Sequence, residues 1–214
     1  MSTKDFNPKL YLYAKSPVAG EVKSRLTNKC TVEQAAEIAS VLIETTVERA
    51  VSAWQGEICL CVWPDENHPL FRELAIKHAI KITLQADGDL GAKMYASLDE
   101  GIGQRGVAAV MGCDVPHCPG EVLTKAYKAL EGRHNVIGPS SDGGFYFLGM
   151  YQCHPAMFDG VKWGCSSVYF SILSNLQKCK LVPPHRLSKL RDIDHWDDLV
   201  DAAKVIDRLK PYVI

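Results

Sequence analysis

Val107-Ala-Ala-Val-Met111 runs directly into Gly112-Cys113-Asp114-Val115-Pro116. Five apolar residues in succession leave no polar face, so this segment reads as a strand buried on both sides. Such strands belong to parallel sheets, whose crossover helices cover both faces. The carboxylate of Asp114 then falls just past the strand's carboxyl end, the edge at which open α/β sheets bind their ligands. An ionised group there is costly unless it is used or paired.

Outward from this strand, strand and helix patterns alternate. Residues 10–14, 58–62 and 80–84 predict three earlier strands. Thr31 opens a long helix, with Gln34 completing a capping box. Ala35, Ala39, Leu42, Thr46, Val47 and Ala50 continue it at helical spacing. Two more helices are predicted over 69–79 and 91–102. Downstream, 119–130 reads as a helix with proline in its first turn, 136–137 as a short strand, 145–150 as an aromatic-rich strand and 167–176 as a helix. The Pro183-Pro184 break precedes an expected edge strand over 187–193, and a closing helix is expected over 196–209. The expected fold is α/β: one domain over residues 1–214, with a mostly parallel central sheet covered by helices on both faces.

Composition agrees. The 214 residues are 47% hydrophobic and 23% charged, with 24 Lys+Arg against 25 Asp+Glu for a net charge of −1. A neutral chain is not built to track nucleic acid or a membrane surface, which takes a broad basic excess. No apolar run approaches the roughly 18 residues that span a bilayer, and the polar stretch from Met1 to Pro8 has no signal-peptide core. The expected compartment is the cytoplasm. Eight cysteines without a C-x-x-C pair are expected to be reduced thiols, with Cys59 and Cys61 on one strand face.

The residues after each strand hold the chemistry. After the first come Lys15-Ser-Pro-Val-Ala-Gly20-Glu-Val-Lys23-Ser-Arg25. Three cations around a turn can hold an oligophosphate, Arg through its fork of donors. Gly20 allows close backbone approach. A solvated basic loop is the alternative, and no Walker A pattern is present. Asp114 offers a hard carboxylate to Mg²⁺; it could equally cap a helix before Pro116 and Pro119. Gly138-Pro-Ser-Ser-Asp142-Gly143-Gly144-Phe145-Tyr146 is a tight turn that either closes a hairpin or faces a second substrate. Asp192 and Asp194 share a face if extended, and either complete a metal site or, for Asp194, cap the last helix. Trp163 and the Phe145-Tyr146-Phe147 run line a pocket or fill the core. Gly101-Ile-Gly103-Gln-Arg-Gly106 matches G-x-G-x-x-G, but it follows a helix and precedes a strand. That is the wrong order for a dinucleotide site, so it is expected to end a helix.

Taken together, these segments resemble a known family. Tyr13-Ala-Lys15-Ser-Pro17-Val-Ala-Gly20-Glu-Val-Lys23-Ser-Arg25-Leu26 is similar to F-A-K-x-P-x-x-G-x-V-K-T-R-L. Gln85 to Met94 is similar to Q-x-x-G-D-L-G-x-R-M, Gly112 to Pro116 to G-T-D-C-P, Gly138 to Tyr146 to G-P-A-x-D-G-G-Y-Y, and Asp192 to Leu199 to D-V-D-T-x-E-D-L. These motifs mark a family of bacterial glycosyltransferase-like proteins in the nucleotide-diphospho-sugar transferase superfamily. It is distantly similar to the guanylyltransferases acting on phospholactate and the molybdenum cofactor. The resemblance implies a Rossmann-like GT-A fold, with a nucleotide-binding N-terminal half and an acceptor-binding C-terminal half.

It further implies that Lys15, Gly20, Lys23 and Arg25 hold nucleotide phosphates, and that Leu90, Gly91 and Met94 lie near base or ribose. Asp114 and Asp194 would bind Mg²⁺ or Mn²⁺. Asp142, Gly143, Gly144 and Trp163 would face a small-molecule acceptor, and Lys23, Asp114 and Asp142 would be catalytic. The implied activity is metal-dependent transfer of a glycosyl or nucleotidyl group from a nucleotide sugar or nucleoside triphosphate. Three departures stand out: Lys93 for arginine, Trp163-Gly164-Cys165 for W-S-T, and His195 for threonine. The loss of two hydroxyls in the second leaves a nucleotide-binding protein without turnover as the alternative.

Overall fold

The computed structural model describes residues 6–213. Its strands are β1 (Lys9–Lys15), β2 (Glu57–Trp63), β3 (Lys81–Leu84), β4 (Ala108–Gly112), β5 (Val136–Pro139), β6 (Phe145–Met150) and β7 (His185–Arg186). They form one sheet in the order β3-β2-β1-β4-β6-β5-β7. β6 runs antiparallel to both its neighbours, and the remaining pairings are parallel.

Successive side chains on each strand enter opposite cores. Leu10, Leu12, Leu60, Ala109 and Met111 pack beneath α1 (Val32–Ala53), α2 (Pro69–His78) and α4 (Gly120–Glu131), against Val47, Phe71 and Leu123. Tyr11, Cys59, Cys61, Ala108 and Val110 pack on the other face, against Met94 and Leu98 of α3 (Leu90–Arg105) and Ile172 and Leu176 of α5 (Val168–Lys178). Cys59 and Cys61 therefore share a face, and all eight cysteines are free. Two covered faces explain why β4 shows no polar alternation. Each fully buried Leu, such as Leu12, contributes about 1.5–3 kcal/mol of apolar burial.

α1 starts at the expected capping box. The Thr31 side chain accepts from the Gln34 N–H at 3.2 Å, and the Gln34 carboxamide accepts from the Thr31 N–H at 3.0 Å. A third apolar cluster joins Ile38 and Leu42 of α1 to Leu26 and to Leu199 and Ala202 of α6 (Trp196–Ala203). This packing seats the segment before α6 against the carboxyl end of the sheet.

Two expectations at the C-terminal end need correction. The edge strand is His185–Arg186, not 187–193. Leu187 and Leu190 do reach the core, but along an irregular path pinned at single points, by Leu187 N–H to the Ile137 carbonyl and Leu190 N–H to the Pro139 carbonyl. The closing helix ends at Ala203 rather than 209, and Asp207–Tyr212 forms a separate 3₁₀ turn. Leu199, Ala202, Ala203, Ile206 and Leu209 are all buried, so their spacing suits the two short elements as well as one long helix.

The G-x-G-x-x-G match lies at the end of α3, which Gly106 closes in the left-handed conformation. Gly101 lies against the sheet: a Cβ there would stand 2.6 Å from Ala108 Cβ and 3.0 Å from the Tyr11 ring. Gly103 faces open space. Gly103→Ala should therefore raise stability by up to about 1 kcal/mol, and Gly101→Ala should lower it. Thermal unfolding of the two variants checks this, and a loss of stability in both would refute the packing assignment.

Candidate functional site

The residues that follow β1, β4 and β5 converge at the carboxyl edge of the sheet, where they line two cavities that share Tyr13 and Asp114. The first cavity, about 330 Å³, is lined by Lys15, Lys23 and Arg25 from the loop after β1, with Asp114 and Asp194 opposite. The second, about 250 Å³, is lined by Leu90, Met94, Phe145, Tyr146 and Trp163 together with Asp114, Asp142 and Asp192.

Lys23 ties the first cavity together. Its Nζ lies 2.5 Å from Asp114 Oδ1, 3.3 Å from Asp194 Oδ1 and 2.7 Å from the Ile193 carbonyl. The side chain is only 10% exposed. Burial disfavours the Lys23 charge, but the two carboxylates outweigh it and hold the ammonium above the ordinary lysine value. Arg25 Nη1 donates to the other Asp194 oxygen at 3.0 Å while staying largely exposed. Lys15 donates to the Glu21 carbonyl at 2.7 Å, and its ammonium stands 5.4 Å from the Trp63 ring centre. Lys93, where the family has arginine, stands 4.6 Å from the same ring. Gly20, at φ +83°, turns the loop and lies outside the lining of either cavity.

Asp114 caps no helix, because the N-cap of α4 is Pro119. Asp194 caps none either. His195 is the N-cap of α6, and the Asp198 carboxylate accepts from the His195 and Asp194 N–H groups at 2.8 and 3.3 Å. Asp194 is thereby left to Lys23 and Arg25. The Ile193 N–H donates to the Asp114 carbonyl at 2.9 Å, so the 192–194 segment is stitched to the end of β4.

Asp142 closes the β5–β6 hairpin. Its Oδ1 accepts from the Ser140 hydroxyl and, at 2.9 Å, from the Gly144 N–H. Gly143 lies outside the lining: at φ +93°, a Cβ would fall 2.1 Å from the Ser166 carbonyl oxygen. Only glycine permits that approach, which brings the loop holding Trp163 and Cys165 up to Asp142. Gly91 is likewise buried, with Phe158 and Trp163 where a Cβ would be. Leu90 and Met94 share their cavity with Trp163, Asp142 and Gly144, so the two halves of the chain interleave there. Phe145 and Tyr146 line the same cavity, and Phe147 is wholly buried.

Asp192 is the residue that the motif reading left without a role. It lines the second cavity. Burial first, and then the Asp142, Asp114 and Asp194 carboxylates, push its carboxyl up to about 7. Its position two residues before Asp194 was the available signal, yet a D-x-D spacing alone does not say which carboxylate pairs with a lysine.

The mostly parallel sheet with its antiparallel β6 is a fold shared with solved structures of nucleotide-diphospho-sugar transferase and nucleotidyltransferase type. A protein from Desulfovibrio desulfuricans G20, provisionally named a nucleotide-diphospho-sugar transferase, superposes with a TM-score of 0.80 at 22% identity over 96% of this chain and 97% of its own. The 4-diphosphocytidyl-2C-methyl-D-erythritol synthase of Anaerococcus prevotii DSM 20548 does so with a TM-score of 0.60 at 11% identity, over 95% and 97%. A CMP:2-keto-3-deoxy-manno-octonic acid synthetase, solved with CTP, gives 0.55 at 10% identity, over 94% and 99%. Residues 46–165, more than half of the chain, match the family described as "uncharacterized protein conserved in bacteria" (DUF2064), and the chain belongs to that family. No curated protein matches it. No helix among the described residues is long and apolar enough to cross a membrane.

The like-charge cluster around Asp192 makes a signed prediction. A carboxyl raised above its unfolded value near 3.9 costs the folded state stability progressively as pH rises from about 4 through about 7. In chelator-treated protein, Asp192→Asn should therefore unfold at a higher temperature than wild type at pH 8, by more than about 2 °C, with the gap closing toward pH 4. A wild type as stable as or more stable than the variant at pH 8 would contradict the repulsion.

Proposed function

We propose that the chain is a transferase that acts on a nucleotide, moving a glycosyl or nucleotidyl group from a nucleotide sugar or nucleoside triphosphate to a small acceptor. The observation that supports this reading is the meeting of two chemically different cavities at Asp114. One gathers the three cations Lys15, Lys23 and Arg25, the other has carboxylates and aromatic rings without a cation in its lining, and a bond transferred between their occupants would lie beside the shared carboxylate.

In this reading Lys15, Lys23 and Arg25 bind the phosphates. Each charge-assisted bond contributes about 1.5–3 kcal/mol, and Arg25 can offer two parallel donors. Lys23 exchanges its carboxylate partners for phosphate oxygens, so its positive charge faces the group that leaves. The buried Met94 gives the second cavity part of its apolar wall, where charge interactions are less screened than in open water.

The donor set also suits a divalent cation. Among the described residues no three His, Cys, Asp or Glu side chains converge as a ready-made metal site. Two carboxylates completed by substrate phosphates is the arrangement Mg²⁺ favours. Asp114 and Asp192, in one cavity with the Asp192 charge disfavoured by its neighbours, are the residues that would hold Mg²⁺ or Mn²⁺. Asp194, which lies outside the cavity shared by Asp114 and Asp192 and keeps Arg25 when Lys23 turns to phosphate, would orient the loop. A cation bound there supplies neutralisation of negative charge on the phosphates.

A thermal-shift panel of nucleoside triphosphates and nucleotide sugars with Mg²⁺, followed by product analysis, tests the proposal. At least one nucleotide should stabilise the protein. Lys15→Ala and Arg25→Ala should each weaken its binding about tenfold or more, and Asp114→Asn should remove the Mg²⁺-dependent part. Release of pyrophosphate would identify nucleotidyl transfer, and release of a nucleoside diphosphate glycosyl transfer. No stabilisation by any nucleotide would refute the reading.

A further inference from the structure

The two cavities differ in charge. The first sets Lys15, Lys23 and Arg25 among Glu21, Asp114 and Asp194. The second is lined by Asp114, Asp142 and Asp192 and by no Lys, Arg or His. Several cations of neighbouring segments are otherwise committed: Lys23 to Asp114 and Asp194, Arg191 to Asp198, Lys93 to the Trp63 ring and Arg186 to the face of Tyr169 at 5.8 Å. A phosphorylated acceptor would bring a second polyanion beside the nucleotide, and proteins recognise such groups with Arg forks and Lys. This cavity offers carboxylates instead, and the one divalent cation that Asp114 and Asp192 would hold is taken up by the nucleotide's own phosphates.

Its walls fit a different ligand. Phe145, Tyr146 and Trp163 supply aromatic surface, and Leu90, Met94 and Val168 supply aliphatic surface. Asp142 Oδ1 is fixed by the Ser140 hydroxyl and the Gly144 N–H. Its Oδ2 has no protein hydrogen bond among the described residues and stands ready to accept from a hydroxyl. The Trp163 indole N–H is buried without a partner in the cavity wall. The volume, about 250 Å³, lies just below the roughly 300–1,000 Å³ of ordinary small-molecule sites and has room for one ring. Carboxylates and amphipathic aromatic rings around a ring-sized space match a molecule with hydroxyls on its edge and C–H groups on its face.

We propose that this cavity takes an unphosphorylated acceptor, a single sugar ring or a polyol, with its hydroxyls on Asp142 and its apolar face on Trp163. The proposal rests on the transferase reading above, which supplies the reason for a second ligand beside Asp114. It also narrows that reading, since the attacking group would be a hydroxyl rather than a phosphate.

Saturation-transfer NMR on the full chain tests the binding directly, without Mg²⁺ or nucleotide, so that no metal bridges a phosphate to Asp114 and Asp192 and failure of the nucleotide reading leaves the result legible. The ligands are matched pairs: hexoses, pentoses and polyols against their own phosphate esters. At least one unphosphorylated member should give a signal that falls threefold or more in both Trp163→Ala and Asp142→Asn. Its phosphate ester should give only a signal that survives Trp163→Ala and disappears in Arg25→Ala, which places it in the basic cavity. Asp142→Asn, at an exposed turn, guards against a Trp163 variant that merely fails to fold. Cys165→Arg, which sets a cation in the cavity wall, should create a Trp163-dependent signal for the phosphate ester. A phosphate ester bound by wild type in a Trp163-dependent way, or no unphosphorylated ligand showing dependence on both residues, would overturn the proposal.

Discussion

The ammonium group of Lys23, buried among Asp114, Asp194 and the Ile193 carbonyl, is the contact on which the arrangement of the site depends. It joins three segments far apart in the chain: the loop after β1, the end of β4 and the stretch before α6. Lys23 adopts φ +48°, a conformation that costs a non-glycine residue about 1–3 kcal/mol, and the anchored side chain offsets that cost. Asp114 and Asp194 are themselves 58% and 38% exposed, so solvent screens each pairing, and it is the buried ammonium that would be costly with neither partner. The basic loop is thus held against the carboxylates by a charge that phosphates can also satisfy.

The same contact shows how a chain with a net charge of −1 can still gather cations at one place. Three of them meet in one cavity, balanced there by Glu21, Asp114 and Asp194. Lys15, Lys23 and Arg25 lie on one side of Asp114, and Asp142 and Asp192 on the other. Near-neutral composition excludes a long nucleic-acid track, and a cation cluster confined to one loop is scaled to a single nucleotide.

Much of the fold was legible because the buried strands carry their own signature. β2 and β4 read as unbroken apolar runs, and the Thr31–Gln34 capping box marked the start of α1 to the residue. The carboxyl-edge rule then placed Asp114, Asp142 and the basic loop together before any coordinates. Residues 187–193 were misread because Leu187 and Leu190 do reach the core, at separate points of an irregular path that alternation cannot distinguish from a strand. The site was less legible than the fold for a related reason. Which of Asp192 and Asp194 pairs with Lys23 is decided by the Ile193 N–H bond to Asp114 and by Asp198 capping α6, neither of which leaves a local pattern. Gly91 and Gly143 sit within the segments that carry the family resemblance, and in space they are the points where Phe158, Trp163 and the Ser166 backbone come too close for any side chain.

The central claim is that Lys23 changes partners when a nucleotide binds. Its buried, hydrogen-bonded ammonium should give a slowly exchanging side-chain NMR resonance, assignable by Lys23→Arg. On titration with a nucleoside triphosphate and Mg²⁺ that resonance should move to a new position, while that of Lys204, paired with Asp201 on the surface at 2.7 Å, stays in place. A Lys23 resonance unmoved at saturating nucleotide would mean that phosphates bind without it, and would contradict the account.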